Sequence, residues 1–136
     1  MLVKDHPFVE KITGSETNNL GTFYFLENVV IAEFKDGAII NIKNLEATDK
    51  AIKKYFGDKN FALICNRIAP YSIDLNDTAA FNENYKNLKA DATVFYSNIG
   101  RNTWELESQF FNYPRKSCDN IEQAMTWVLN ELKKHH

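Results

Sequence analysis

The sequence predicts an α/β domain built on a mixed sheet of about five to six strands with about four helices. Three observations predict it. Phe61–Asn66 is an unbroken apolar run ending in one asparagine, as expected of a central strand covered on both faces. Downstream, helical three- and four-residue spacings alternate with short β-rich runs, which implies parallel strands joined by right-handed crossovers. Upstream, aromatic and β-branched runs separated by short turns read as antiparallel hairpins. The N-terminal hairpins followed by β-α-β-α repeats make one domain over residues 21–134, with residues 1–20 a poorly defined leading segment.

In the leading segment, Phe8–Ile12 reads as a short strand, and Gly14–Asn19 carries loop chemistry throughout. Thr22–Leu26 is a strand rich in aromatic residues, and Glu27-Asn28 a short turn. Val29–Lys35 is the next strand, Asp36-Gly37 a two-residue type I′ turn, and Ala38–Lys43 the returning strand. Val30, Ala32 and Phe34 share one face, as do Ala38, Ile40 and Ile42, and both sets should look into the core. A helix over Leu45–Phe56 is expected from the stripe Leu45, Thr48, Ile52 and Tyr55/Phe56, with Asn44 as N-cap and Gly57 as stop. Lys50, Lys53 and Lys54 lie off that stripe, and Glu46 and Asp49 are placed for i,i+4 pairs.

A second helix is expected over Thr78–Leu88 behind an Asp77 cap, and Ala92–Tyr96 is a further buried strand. Asn102 with Glu105 suggests a capping box opening a third helix through about Phe111, which Pro114 forbids from continuing. Arg115–Cys118 is a short strand. Asp119 then caps a last helix whose stripe is Ile121, Ala124, Met125, Val128 and Leu132, bordered by Trp127.

Sixteen basic and eighteen acidic residues give a net charge of -2 without a block of either sign. Nucleic-acid binding is not expected, because it needs a basic patch or stripe, and neither is a polybasic membrane anchor. No stretch approaches the roughly 18 apolar residues of a transmembrane helix. The N-terminus also lacks the apolar run of a signal peptide, so a cytoplasmic location is the expectation. Cys65 and Cys118 belong to no CxxC pair and are read as buried, reduced thiols.

Of the three histidines, His6 stands in the leading segment and His135 and His136 end the sequence. With no histidine expected in the folded body, a metal centre or a Ser-His-Asp or Cys-His nucleophile has no basis, and no cofactor is implied. The five glycines are isolated, so no phosphate-cradling loop is read either. The candidate site is the loop that follows Phe61–Asn66, because carboxyl ends of central strands in open α/β sheets are where binding sites are built. Arg67, Tyr71, Ser72, Asp74 and Asp77 crowd there. Arg67 has two readings: bridging loop carbonyls or a neighbouring cap, or forking a ligand or partner anion. Tyr71 and Ser72 add hydroxyls, while Asp74 and Asp77 are well explained as turn and cap residues. Arg101, Asn102, Thr103 and Trp104 follow the next parallel strand, so the two loops can share one shallow site.

Gly21-Thr22-Phe23-Tyr24-Phe25, the Asp36-Gly37 turn, Asn66-Arg67-Ile68 with Tyr71-Ser72-Ile73-Asp74, and the Ile121–Trp127 helix together carry a family likeness. Over about Gly21 to Leu132 the chain resembles the STAS or SpoIIAA-like domains, the fold of bacterial anti-anti-sigma factors, and in particular the STAS-like group found in Bacteroidetes. The resemblance implies a non-enzymatic regulatory or interaction module. It would bind a protein partner, such as a kinase or an anti-sigma-like factor, or a small ligand. Arg67, Tyr71, Ser72, Asp74, Arg101 and Trp104 are then the candidate binding residues. In that family a serine at the start of the second helix is phosphorylated. No Asp-Ser-Ser-Gly-like motif follows Phe61–Asn66 here, which leaves Ser72 and Thr78 as the candidate hydroxyls. Architectural kinship with lipid-binding CRAL-TRIO domains implies the alternative, a carrier of a lipid or hydrophobic small molecule.

Overall fold

Three strands open the fold, joined by tight turns: Gly14–Asn18 (β1), Gly21–Phe25 (β2) and Val29–Phe34 (β3). They pair antiparallel, with Thr17 opposite Thr22 and Tyr24 opposite Ile31. Then follow the two-residue β4 (Ile39–Ile40), α1 (Glu46–Phe56), β5 (Phe61–Arg67) and the two-residue β6 (Ser72–Ile73). The chain continues through α2 (Thr78–Asn84), β7 (Leu88–Phe95), α3 (Arg101–Glu107), β8 (Arg115–Cys118) and α4 (Ile121–Lys133). This is a computed structural model that describes residues 1–135; His136 lies outside the described residues.

The main sheet has the order β1-β2-β3-β5-β7-β8, and β3, β5, β7 and β8 are mutually parallel. These four strands step across the sheet in one direction, so crossovers of the usual hand carry their helices to one face. There α1, through Ala51 and Phe56, and α2, through Phe81, pack on Phe23, Val30, Phe34, Phe61 and Cys65. The opposite face, carrying Val29, Ile31, Ala62, Ile64, Ala92 and Val94, is covered by Ile121, Ala124, Met125, Val128 and Leu132 of α4. All six residues of β3 are therefore buried, and β7 is buried along nearly its whole length. The mixed α/β fold predicted above is the fold observed.

Several local expectations give way to identifiable causes. Residues 1–20 are ordered into two 3-10 turns, Val3–Asp5 and Pro7–Lys11, followed by β1, with Val3 fully buried. His6 is buried as well. Its Nε2 lies 2.6 Å from Glu122 Oε1 on α4, and its Nδ1 accepts from Phe8 N, so the folded body does contain a histidine. The Asp36-Gly37 turn does not return β3 on itself. A type I′ turn needs positive φ at both central residues, but only Gly37 has it. The expected third strand is thereby reduced to β4, which pairs in parallel with β6, and the strand beside β3 on the side away from β2 is β5.

Caps shift in the same way. Asn44 donates to Ile39 O, and α1 begins after Leu45 without a side-chain cap. Gly100 at φ +83, not Asn102, precedes α3. Asn120, not Asp119, caps α4: its Oδ1 accepts from Gln123 N, and Gln123 Oε1 accepts from Asp119 N. Asp77 stands at the N-cap position of α2, yet its carboxylate accepts from Ile42 N. That helix ends at Asn84, because Asn87 O is already committed to Phe61 N and Leu88 enters the sheet.

Gly21 is at φ +148, and a Cβ there would sit 2.1 Å from the Glu33 carbonyl oxygen in the adjacent strand. Gly57 also has positive φ but opens onto free space. Gly57 stands at φ 57 and ψ -123, outside the left-handed helical well, so Gly57→Ala should cost about 1–3 kcal/mol from backbone strain alone. Gly21→Ala should cost distinctly more, because backbone must move as well. Urea unfolding of the two variants measures the difference.

Candidate functional site

The carboxyl ends of β3, β5, β7 and β8 lie on one rim, since these strands are parallel. Arg67 ends β5 directly opposite Phe95, which ends β7. Strand alternation sends Arg67 and Phe95 to the α1 and α2 face and the preceding Asn66 to the α4 face. The Arg67 guanidinium carbon lies 4.7 Å from the Tyr71 ring centre and 5.7 Å from that of Phe95. Arg101, from the first turn of α3, approaches the same Phe95 ring at 5.0 Å. Trp104 meets Phe95 edge-on at 5.8 Å. Two loops far apart in sequence thus converge on one phenylalanine, and four predicted site residues, Arg67, Tyr71, Arg101 and Trp104, are brought together.

The two arginines differ in what they hold. Arg101 reaches Asp119 Oδ1 at 3.3 Å. No carboxylate or carbonyl among the described residues accepts from Arg67, whose charge rests on ring faces. A planar, weakly hydrated guanidinium is the cation best suited to that position, and its donors stay available for an anion. Gly100 makes the room: a Cβ there would lie 2.9 Å from an Arg67 Nη2. Burial raises the pKa of Glu107, while Arg115 and Arg67 pull it down.

Ser72, Asp74 and Thr78 are not part of this cluster. Ser72 is exposed on β6, where its N–H donates to Ala38 O. Asp74 caps the 3-10 turn Leu75–Asp77 by accepting from Asn76 N, and Thr78 donates its hydroxyl to Leu75 O. The turn-and-cap reading holds for Asp74; Asp77 stands at the cap position of α2, but its carboxylate accepts from Ile42 N.

Beneath the rim lies a constellation that sequence reasoning missed. Asp91 on β7 and Arg115 on β8 form an ion pair, Nε to Oδ2 at 3.1 Å, with side chains only 5% and 3% exposed. The guanidinium is sandwiched between Trp104 at 4.5 Å and Phe111 at 4.6 Å, and its Nη1 donates to Ser108 Oγ. Burial raises the Asp91 pKa, with Arg115 opposing; for Arg115, burial works against the charge, and Asp91 together with Tyr113 and Cys65 leaves its pKa raised. Asp91 was hard to find because the strand was expected to begin at Ala92, which left Asp91 in a loop. A carboxylate between two alanines in a β-rich run was the available signal.

The same residues back an aromatic-walled cavity of about 90 Å³ among Phe34, Cys65, Tyr71, Phe81, Phe111 and Tyr113. Burial pushes the Cys65 thiol up to about 12, and Tyr71 and Tyr113 are raised for the same reason. These groups stay protonated, so the interior offers no thiolate or phenolate. Among the described residues no group of three or more His, Cys, Asp or Glu is arranged to hold a metal, and no helix is long and apolar enough to cross a membrane. In comparisons with known proteins, no family model, no curated protein and no solved structure matches the chain.

Two outcomes follow from this interior. Asp91→Ala strands the Arg115 cation and should cost about 3–5 kcal/mol, whereas the apolar pair Asp91→Leu with Arg115→Met should recover most of that loss. Urea titrations of the single and double variants test it. Iodoacetamide at about pH 8 should leave both cysteines untouched in the folded protein and modify both in urea, as read by mass spectrometry.

Proposed function

We propose that this chain is a non-enzymatic, STAS-like regulatory or interaction module. Its rim at Arg67, Tyr71, Phe95 and Arg101 takes an anionic group of a protein partner or small ligand. One observation carries the reading: the Arg67 guanidinium lies over two rings, in a space that Gly100 leaves open, with no acceptor among the described residues. An arginine serving only solubility would need no such cradle, and one serving only the fold would bridge carbonyls or a carboxylate. The STAS-like part of the reading is supported by the quoted motifs and by the order of antiparallel hairpins followed by parallel β-α units. Ser72, being exposed, is the hydroxyl a partner kinase would reach more readily than the internally bonded Thr78. The interior space of about 90 Å³ falls well short of the roughly 300 Å³ of a typical ligand pocket, so the reading puts the ligand on the rim rather than inside.

Titration of the labelled protein with inorganic phosphate and with acetate, followed by amide NMR shifts, tests the reading. Signals of residues 67–71 and 95–101 should move together in the wild type. Arg67→Ala should weaken that response about tenfold or more, as expected for loss of a charge-assisted hydrogen bond, with Arg67→Lys intermediate. A response that is absent, or unchanged in a folded Arg67→Ala protein, would end the proposal.

A further inference from the structure

The α1 and α2 face of the sheet is not completely filled. Leu63 stands in the middle of β5, a strand flanked on both sides, yet it keeps part of its surface accessible. Its partner across the ladder is Asp91. Both line the cavity of about 90 Å³, and Ile52 of α1 and Phe81 of α2 line it from the helices packed on that face. At roughly 30 Å³ per water in the liquid, this is about three waters' worth of space, less than the ~150 Å³ that admits benzene. Too small for an ordinary ligand, it suits a much smaller one.

One group on the cavity wall is incompletely bonded. Asp91 Oδ2 accepts from Arg115 Nε, but Oδ1 is buried and has no hydrogen-bond partner among the described residues. A buried carboxylate oxygen in that state is costly and calls for a donor. The donor has to be neutral. Arg115 already balances the carboxylate, so a cationic ligand would bring an uncompensated charge into the interior, and an anion would meet Asp91. Water can serve Oδ1, but a buried water wants about two to four polar partners, and most of this wall is hydrocarbon.

We infer that the cavity is a binding site for a small neutral molecule with an apolar body and one hydroxyl or N–H, the size of a short-chain alcohol. Its donor bonds Asp91 Oδ1, and its carbon chain lies over Leu63 and against Phe81. The site does not depend on the anion-binding reading of the rim.

Titration of methyl-labelled protein with 1-propanol and with 1-chloropropane, followed by NMR, tests the inference. The two probes are similar in size, but only 1-propanol donates a hydrogen bond. It should shift the Leu63 and Ile52 methyl signals saturably and bind about tenfold more tightly than 1-chloropropane. A merely apolar void would show the opposite order, because 1-chloropropane is the less well hydrated of the two. In the double variant Asp91→Leu with Arg115→Met the preference should reverse. Leu63→Phe, which fills the space, should weaken 1-propanol about tenfold, and it gives a second reading if the double variant does not fold. Three outcomes would each overturn the inference: no saturable shift at Leu63 and Ile52, an equal or stronger response to 1-chloropropane in the wild type, or an unchanged 1-propanol response in folded Leu63→Phe protein.

Discussion

Covering both faces of a parallel sheet leaves its central strands no solvent side on which to place polar groups. In this fold that constraint falls on β3, β5 and β7, each flanked by strands and sandwiched between α4 and the α1–α2 layer. The acidic and amide groups on these strands find partners inside, although Thr93 Oγ1 and Asp91 Oδ1 are buried without a hydrogen bond. Glu33 accepts from Val3 N and from Asn66 Nδ2, and so the leading segment is tied to the sheet. Asp91 takes Arg115 from the neighbouring strand and, through it, fixes Trp104, Ser108 and Phe111 over the sheet. Arg67 takes the other route and leaves at the rim.

The architecture joins these solutions. Trp104 touches Phe95 on one side and Arg115 on the other, so the packing that neutralises a buried carboxylate also orients the rim. Tyr71 plays the matching part from the other loop: its ring lies beside Phe34 in the core and beneath Arg67 at the surface. The rim is thus packed onto the core through Trp104 and Tyr71.

Strong periodicity and unbroken apolar runs made much of the fold readable in the amino-acid order. Phe61–Asn66 could only be a covered strand, and the stripes of α1 and α4 left no competing period. β1 was unreadable because Gly-Ser-Glu-Thr-Asn carries no apolar alternation; it exists through backbone bonds to β2 and a threonine pair across the ladder. The Asp-Gly turn misled because its meaning depends on a second positive φ that asparagine or aspartate adopts only when the strands demand it. Caps slid by one or two residues where several candidate oxygens stood in a row, as at Asp119-Asn120. At the candidate site, Arg67 and Arg101 were visible as residues following strands, but their meeting on Phe95 is a property of register. The Asp91–Arg115 pair is a property of register too, spanning 24 residues.

The contact between Gly100 and Arg67 has an evolutionary corollary. A side chain at position 100 would press on the guanidinium, which as the end of a flexible side chain can give way, and the positive φ adds backbone strain of its own. The two positions therefore form a compatibility pair rather than two separate constraints. An arginine held at its present place over the rings favours glycine at position 100, while its loss would ease the way to residues, such as asparagine, that tolerate a left-handed backbone. Covariation between 67 and 100 would then show whether the arginine is kept in its place over the rings or released from it.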